Sequence, residues 1–148
     1  MLRKKNNRIY TITITLLVFL LAACNGNKRY HQYQPVSPQG WAKGDTICFS
    51  IALQDTNRPL RMSVELRHTE AYPYSNLYLF INQDTVAYRL ADENGKWTGK
   101  GLNSIYQNKF AYKTIELEHP DTLLIKISQG MTDEQLQGIS DVGICVEY

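Results

Sequence analysis

Between Leu60 and Arg67 apolar and polar residues alternate without a break, with Leu60, Met62, Val64 and Leu66 on one side and Arg61, Ser63, Glu65 and Arg67 on the other. Successive side chains of a strand point to opposite faces, so this spacing gathers four apolar groups on one surface, whereas a helix would carry the charges into its own core. The same period governs "TICFSIAL", where Ile47, Phe49, Ile51 and Leu53 face one way and Thr46, Cys48, Ser50 and Ala52 the other. Both segments read as half-buried strands.

The segments that follow also read as strands. "YSNLYLFI" is apolar on both sides and is expected to be a central strand covered on both faces, and "TVAYRL", after the short turn "NQD", closes a hairpin with it. "ADENGKWTGKG" is a glycine-rich connection in which Asn94-Gly95 favours a tight reversal. "KFAYKTIELE" and "TLLIKIS" flank "HPD", where Pro120 cannot donate to a ladder, and "VGICVE" supplies a last strand. "MTDEQLQG" is the one stretch with a helix-start pattern, because Thr132 or Asp133 can cap the first amides and Gly138 can end the turn. About seven or eight short strands without a long helix predict an all-β fold, an antiparallel β-sandwich of immunoglobulin-like or jelly-roll topology. Alternation alone does not separate the two topologies.

The N-terminal segment has a different composition. Arg3, Lys4, Lys5 and Arg8 precede an apolar run from Ile9 to Ala23 that ends in "LAAC", the layout of an export signal too short to span a bilayer. Leu21-Ala22-Ala23-Cys24 resembles the bacterial lipobox, in which the cysteine thiol takes up diacylglycerol and the signal is cut before it. Residues 1–23 are thus expected to be a lipoprotein signal peptide and Cys24 the lipidation site. The four leader cations leave with the signal, which turns 16 Lys and Arg against 14 Asp and Glu into 12 against 14. A mature chain of that balance has no broad basic field to suggest nucleic acid. Residues 24–40, polar and carrying Pro35 and Pro38, read as a lipidated tether, and residues 41–148 as one β-sandwich domain. Lys28 and Arg29 stand beside the lipid site, where they can meet anionic headgroups or simply aid solubility.

Signals for catalysis are absent from the sequence. His31, His68 and His119 are isolated and no CxxC occurs, so neither a metal nor a cofactor is expected. "GKWTGKG" is one residue short of a phosphate loop and has Gly101 where a Ser or Thr is needed. Carboxylates are scattered singly apart from neighbours such as Asp92 and Glu93, and no GxSxG elbow appears. The chain is therefore read as no enzyme. Cys48 and Cys145 would close a long loop if bridged, and two separate buried thiols in strands are favoured over the bridge. The loop-borne rings Tyr72, Tyr74 and Trp97 are candidate ligand or partner contacts, since exposed rings stack on sugars or anchor proteins. They motivate a second reading, a glycan- or peptidoglycan-binding lipoprotein module.

Four segments taken in order, "YHQYQPVSPQGWAKGDTICFSI", "YPYSNLYLFI", "DENGKWTGKG" and "GISDVGICVE", make the chain resemble the gliding motility-associated lipoprotein GldH family. The resemblance implies a noncatalytic envelope lipoprotein, an accessory component of the gliding machinery linked to type IX secretion. Its implied partners are the membrane, through the N-terminal lipid, and other gliding motility lipoproteins or envelope proteins. Only Cys24 carries over as a functional residue. The residues after Cys24 are basic, unlike the acidic cluster that resembles a surface-export tag, so an outer-membrane lipoprotein facing the periplasm is expected.

Overall fold

In the computed structural model, which describes residues 28–54 and 58–148, the alternating segments become strands. Cys24 and the signal segment lie outside the described residues. The elements are β1 (Lys28–Pro35), β2 (Trp41–Ala42), β3 (Ile47–Leu53), β4 (Leu60–Thr69), β5 (Asn76–Ile81), β6 (Asp84–Arg89), β7 (Lys100–Leu102), β8 (Ile105–Ile115), β9 (Asp121–Gln129), β10 (Gln135–Leu136) and β11 (Ile139–Glu147).

One sheet runs β1-β11-β4-β8-β7 and the other β3-β9-β5-β6, while the short β2 and β10 pair with each other. With the short strands β2, β7 and β10 set aside, the first long strand pairs with the last (β1 with β11) and the second with the second-last (β3 with β9). The third then pairs with the third-last (β4 with β8), and the two central ones with each other (β5 with β6). This nested order is a hairpin rolled up on itself, the jelly-roll arrangement. The sandwich expectation is met, and the pairing settles the choice between topologies.

The inner faces supply the core, where Phe49, Ile51, Leu53, Met62, Val64, Leu66, Leu79, Ile81, Ile127, Val142, Ile144 and Val146 are buried. These are the residues whose alternation marked the strands, and each such side chain contributes about 1.5–3 kcal/mol through burial.

Four expectations are corrected. Residues 28–35 of the expected tether form β1, an edge strand whose mostly exposed side chains hide any alternation, and β1 pairs with β11 along its length. "MTDEQLQG" forms no helix: Gln135 and Leu136 pair with Ala42 and Trp41, and the buried Leu136 holds the segment against the core. β5 is covered on one face only, so Tyr78 and Phe80 project outward, each more than two-fifths exposed. In β4 the polar side is covered as well, and Ser63 and Glu65 are buried.

Candidate functional site

Glu65 is only 3 % exposed although it points away from the hydrophobic core. Its cover comes from neighbouring strands. Tyr33 and Glu65 stand in register on either side of Gly143, and the Tyr33 hydroxyl donates to the Glu65 carboxylate. His31, opposite Cys145 in β11, donates from Nε2 to Glu65 Oε2 at 3.0 Å, and Gln107 from β8 approaches the same oxygen at 3.5 Å. The Arg67 guanidinium lies 3.9 Å from the centre of the Tyr33 ring and donates to Gln107 Oε1 at 3.3 Å, which holds both covering groups. Cation–π contacts of this kind are worth about 0.5–1 kcal/mol at exposed sites.

The network continues along β11. Lys109 Nζ stands 3.7 Å from Cys145 Sγ and 2.8 Å from Glu147 Oε1, and the thiol faces Glu147 Oε2 at 3.8 Å. Lys28 donates to His31 Nδ1 at 3.3 Å. A depression of about 480 Å³ opens beside these groups, bordered by Lys28, His31, Glu65, Lys100, Gln107 and Lys109.

The ionisation states follow from these contacts. Burial by itself would raise the Glu65 pKa, but the hydrogen bonds from Tyr33 and His31 outweigh it and hold the carboxyl below its ordinary range. Tyr33 is raised, first by burial and then by the neighbouring carboxylate. Burial pushes the Cys145 thiol up, so it stays protonated. Lys109 is raised, because Glu147 and its other neighbours outweigh a burial effect of opposite sign.

His31, Glu65 and Cys145 each offer a ligand atom, and these atoms lie within 4.8 Å of one another. Sequence spacing showed the histidines as isolated, and strand pairing joins one of them to a carboxylate 34 positions away. The ligand atoms are already engaged: His31 Nε2 gives its proton to Glu65, and the Lys109 ammonium stands 3.7 Å from the thiol. The arrangement is an internal polar network that pins an edge strand to the middle of a sheet.

The three rings singled out in the sequence are joined: Tyr72 and Trp97 lie against a buried histidine, and Tyr74 packs on Tyr72. His68, fully buried near the end of β4, has Trp97 edge-on at 4.7 Å, Tyr106 stacked at 5.4 Å and Tyr72 at 5.9 Å. Tyr72 touches Tyr74 edge-on at 5.9 Å and gives its hydroxyl to Asn76 O at 2.7 Å, while the Tyr74 hydroxyl goes to Asp133 Oδ2 at 2.8 Å. The expectation of free loop rings is corrected for Tyr72, which is 2 % exposed and closes one end of the sandwich. Trp97 is held as well, since Ala91 bridges to it across the Asn94-Gly95 turn. Cys48 and Cys145 are unbridged, and the expectation of two buried thiols is corrected for Cys48, which is exposed on the outward side of β3 while Cys145 is buried on β11.

Comparison with known proteins agrees with the resemblance. The chain is 27 % identical to "Gliding motility lipoprotein GldH" of Flavobacterium johnsoniae, across 99 % of this chain and 98 % of that one. It is 24 % identical to a "Gliding motility lipoprotein GldH homolog" of Christiangramia forsetii, over 94 % of each. Among solved structures, the VP2 subviral particle of infectious bursal disease virus aligns with 80 % of this chain and 30 % of its own, at 20 % identity and a TM-score of 0.29, too low to support any inference. The sequence profile described as GldH lipoprotein matches residues 28–146, from the first residue of β1 to the penultimate residue of β11. The chain belongs to the GldH lipoprotein family.

Proposed function

We propose that this chain is a noncatalytic envelope lipoprotein, held to the outer membrane through a diacylglyceryl thioether at Cys24, facing the periplasm, and serving the gliding motility machinery linked to type IX secretion. The observation that carries this reading is the match to a gliding motility lipoprotein along nearly the whole of both chains. The lipobox Leu21-Ala22-Ala23-Cys24 supports the anchor. A noncatalytic role is supported by the way the polar groups are used: Oε2 of the buried Glu65 carboxylate is committed to Tyr33, His31 and Gln107. The inward placement of Tyr72 removes part of the motive for a glycan-binding reading.

Deletion of the gene tests the proposal, with colony spreading and type IX-dependent secretion as readouts. Loss of either, restored by the wild-type gene and not by Cys24→Ser, is the expected result. Normal spreading and secretion in the deletion strain would overturn it.

A further inference from the structure

At the end of the sandwich where β1 begins, three guanidinium groups from separate segments converge on one residue. Arg29 of β1 and Arg58, just before β4, stack over the Tyr148 ring at 4.2 and 3.7 Å from its centre. Arg61 of β4 donates to Tyr148 O at 2.5 Å. Lys28, Arg29, Arg58 and Arg61 are all exposed. Stacking and the bond to Tyr148 fix the direction of these arginines while leaving them open to solvent.

Their place in the chain gives the patch its meaning. Lys28 is the first residue of β1 and stands four residues after Cys24, a span that an extended chain covers in at most about 14 Å. A lipid on Cys24 therefore keeps this end of the sandwich close to the headgroup layer. Glu147, in register with Lys28 and Arg61, is tied to Lys109 at 2.8 Å. Glu116 and Glu118, in the turn between β8 and β9, and Asp121, the first residue of β9, lie at the same end and offset part of its positive charge.

We propose that this arginine-rich end is a second membrane contact, which docks the domain on an anionic phospholipid surface beside its anchor. The inference rests on the lipid-anchor reading for orientation and on the cluster itself for affinity. Arginine guanidinium groups match phosphate oxygens in fork geometry, and an aromatic ring beside them suits the interfacial layer. The several acyl chains expected on Cys24 are enough to hold the protein to the membrane, so the patch serves to set how the domain sits on it. Docking would also fix orientation, holding the strands upright on the membrane and leaving the opposite end, closed by Tyr72 and Trp97, toward the periplasm.

Sedimentation with vesicles tests this. The chain from Cys24 to Tyr148, prepared without lipid, keeps every strand described above and therefore the whole core. It is expected to sediment with vesicles of phosphatidylglycerol and phosphatidylcholine in equal parts, to stay in solution with phosphatidylcholine alone, and to be released by added salt. Each removed cation is expected to weaken partitioning about fivefold, so that Lys28→Ser with Arg58→Ser lowers it about 25-fold. Far-ultraviolet circular dichroism and the urea midpoint of that variant should match the wild type, since neither side chain is buried. Equal sedimentation on both vesicle types, or no change in the folded double variant, would overturn the proposal. Mass analysis of native Cys24 separates the two ideas. An unmodified thiol with retained preference for anionic vesicles removes the anchor and leaves the contact, and an acylated Cys24 without that preference does the reverse.

Discussion

The Tyr33 hydroxyl crosses β11 to reach the Glu65 carboxylate, and it can do so because residue 143 beneath its ring is glycine. A Cβ at Gly143 would stand 2.7 Å from Tyr33 Cδ1, 2.8 Å from Cε1 and 3.1 Å from Gln32 O. The ring cannot swing away freely, since Arg67 and Glu65 hold its face and its tip. Gly143→Ala is therefore expected to cost about 1–3 kcal/mol in urea unfolding. Added to Tyr33→Ala it should cost much less than the sum of the two, because the crowded ring is gone. Strict additivity would show that the ring does not lie where it is described.

Two buried groups make stability fall in acid. For His68, burial leads and depresses the pKa below 6.5 despite the bond from its ring to Thr69 O. A base that is easier to protonate when unfolded contributes its stability fully above 6.5, and loses it as pH falls toward the folded value. Glu65 has its folded pKa below 4.5, so its contribution is complete above 4.5 and is lost as pH falls further. The urea midpoint should decline in two stages, the first below 6.5 and the second below 4.5. Glu65→Gln should cost about 1–3 kcal/mol at neutral pH and flatten only the lower stage. An unchanged lower slope in that variant would contradict the assignment.

Two glycines with positive φ should respond differently to alanine. Gly95, at φ 79° in the turn after Asn94, has open space where a Cβ would go, so Gly95→Ala carries only the left-handed backbone penalty of about 1 kcal/mol. Gly138, at φ 85°, would place a Cβ 2.3 Å from the Tyr72 amide nitrogen and 2.5 Å from its Cα. Backbone cannot yield as a side-chain tip does, and Gly138→Ala should cost about 3 kcal/mol or more. Comparable melting temperatures for the two variants would refute this distinction.

The thiols give a chemical readout of the fold. Cys48 is exposed and should react with a thiol reagent in the native protein, while Cys145 is buried, protonated and should react only on unfolding. Acylated protein should thus titrate one thiol when native and two in denaturant. A further thiol in denaturant would report an unmodified Cys24, and fewer would report a disulfide.

Much of the fold was written in the period-two alternation. β3 and β4 follow it directly, because each has one face against the core, whereas the β5–β6 hairpin is marked by an apolar run and the turn "NQD". β1 was missed because an edge strand at the rim of a sheet needs no apolar face: its stability comes from the ladder with β11 and from two side chains, His31 and Tyr33, that grip Glu65. The polar network was illegible for the same reason, since its members come from β1, β4, β8 and β11 and only the pairing of distant strands brings them together. The gathering of Tyr72, Tyr74 and Trp97 had a sequence signal in the aromatic density of two loops. What the sequence lacked was the direction of the rings, which packing of Tyr72 and Trp97 on the buried His68 and the bonds of Tyr72 to Asn76 and Tyr74 to Asp133 set.

The lipid anchor is the claim on which location and partners depend, and mass spectrometry of the N-terminal peptide of protein purified from its own envelope tests it most directly. A peptide that begins at Cys24 and carries diacylglycerol on its sulfur and an acyl chain on its amine is the expected result. An N-terminus at any other residue, or a free thiol at Cys24, would contradict it.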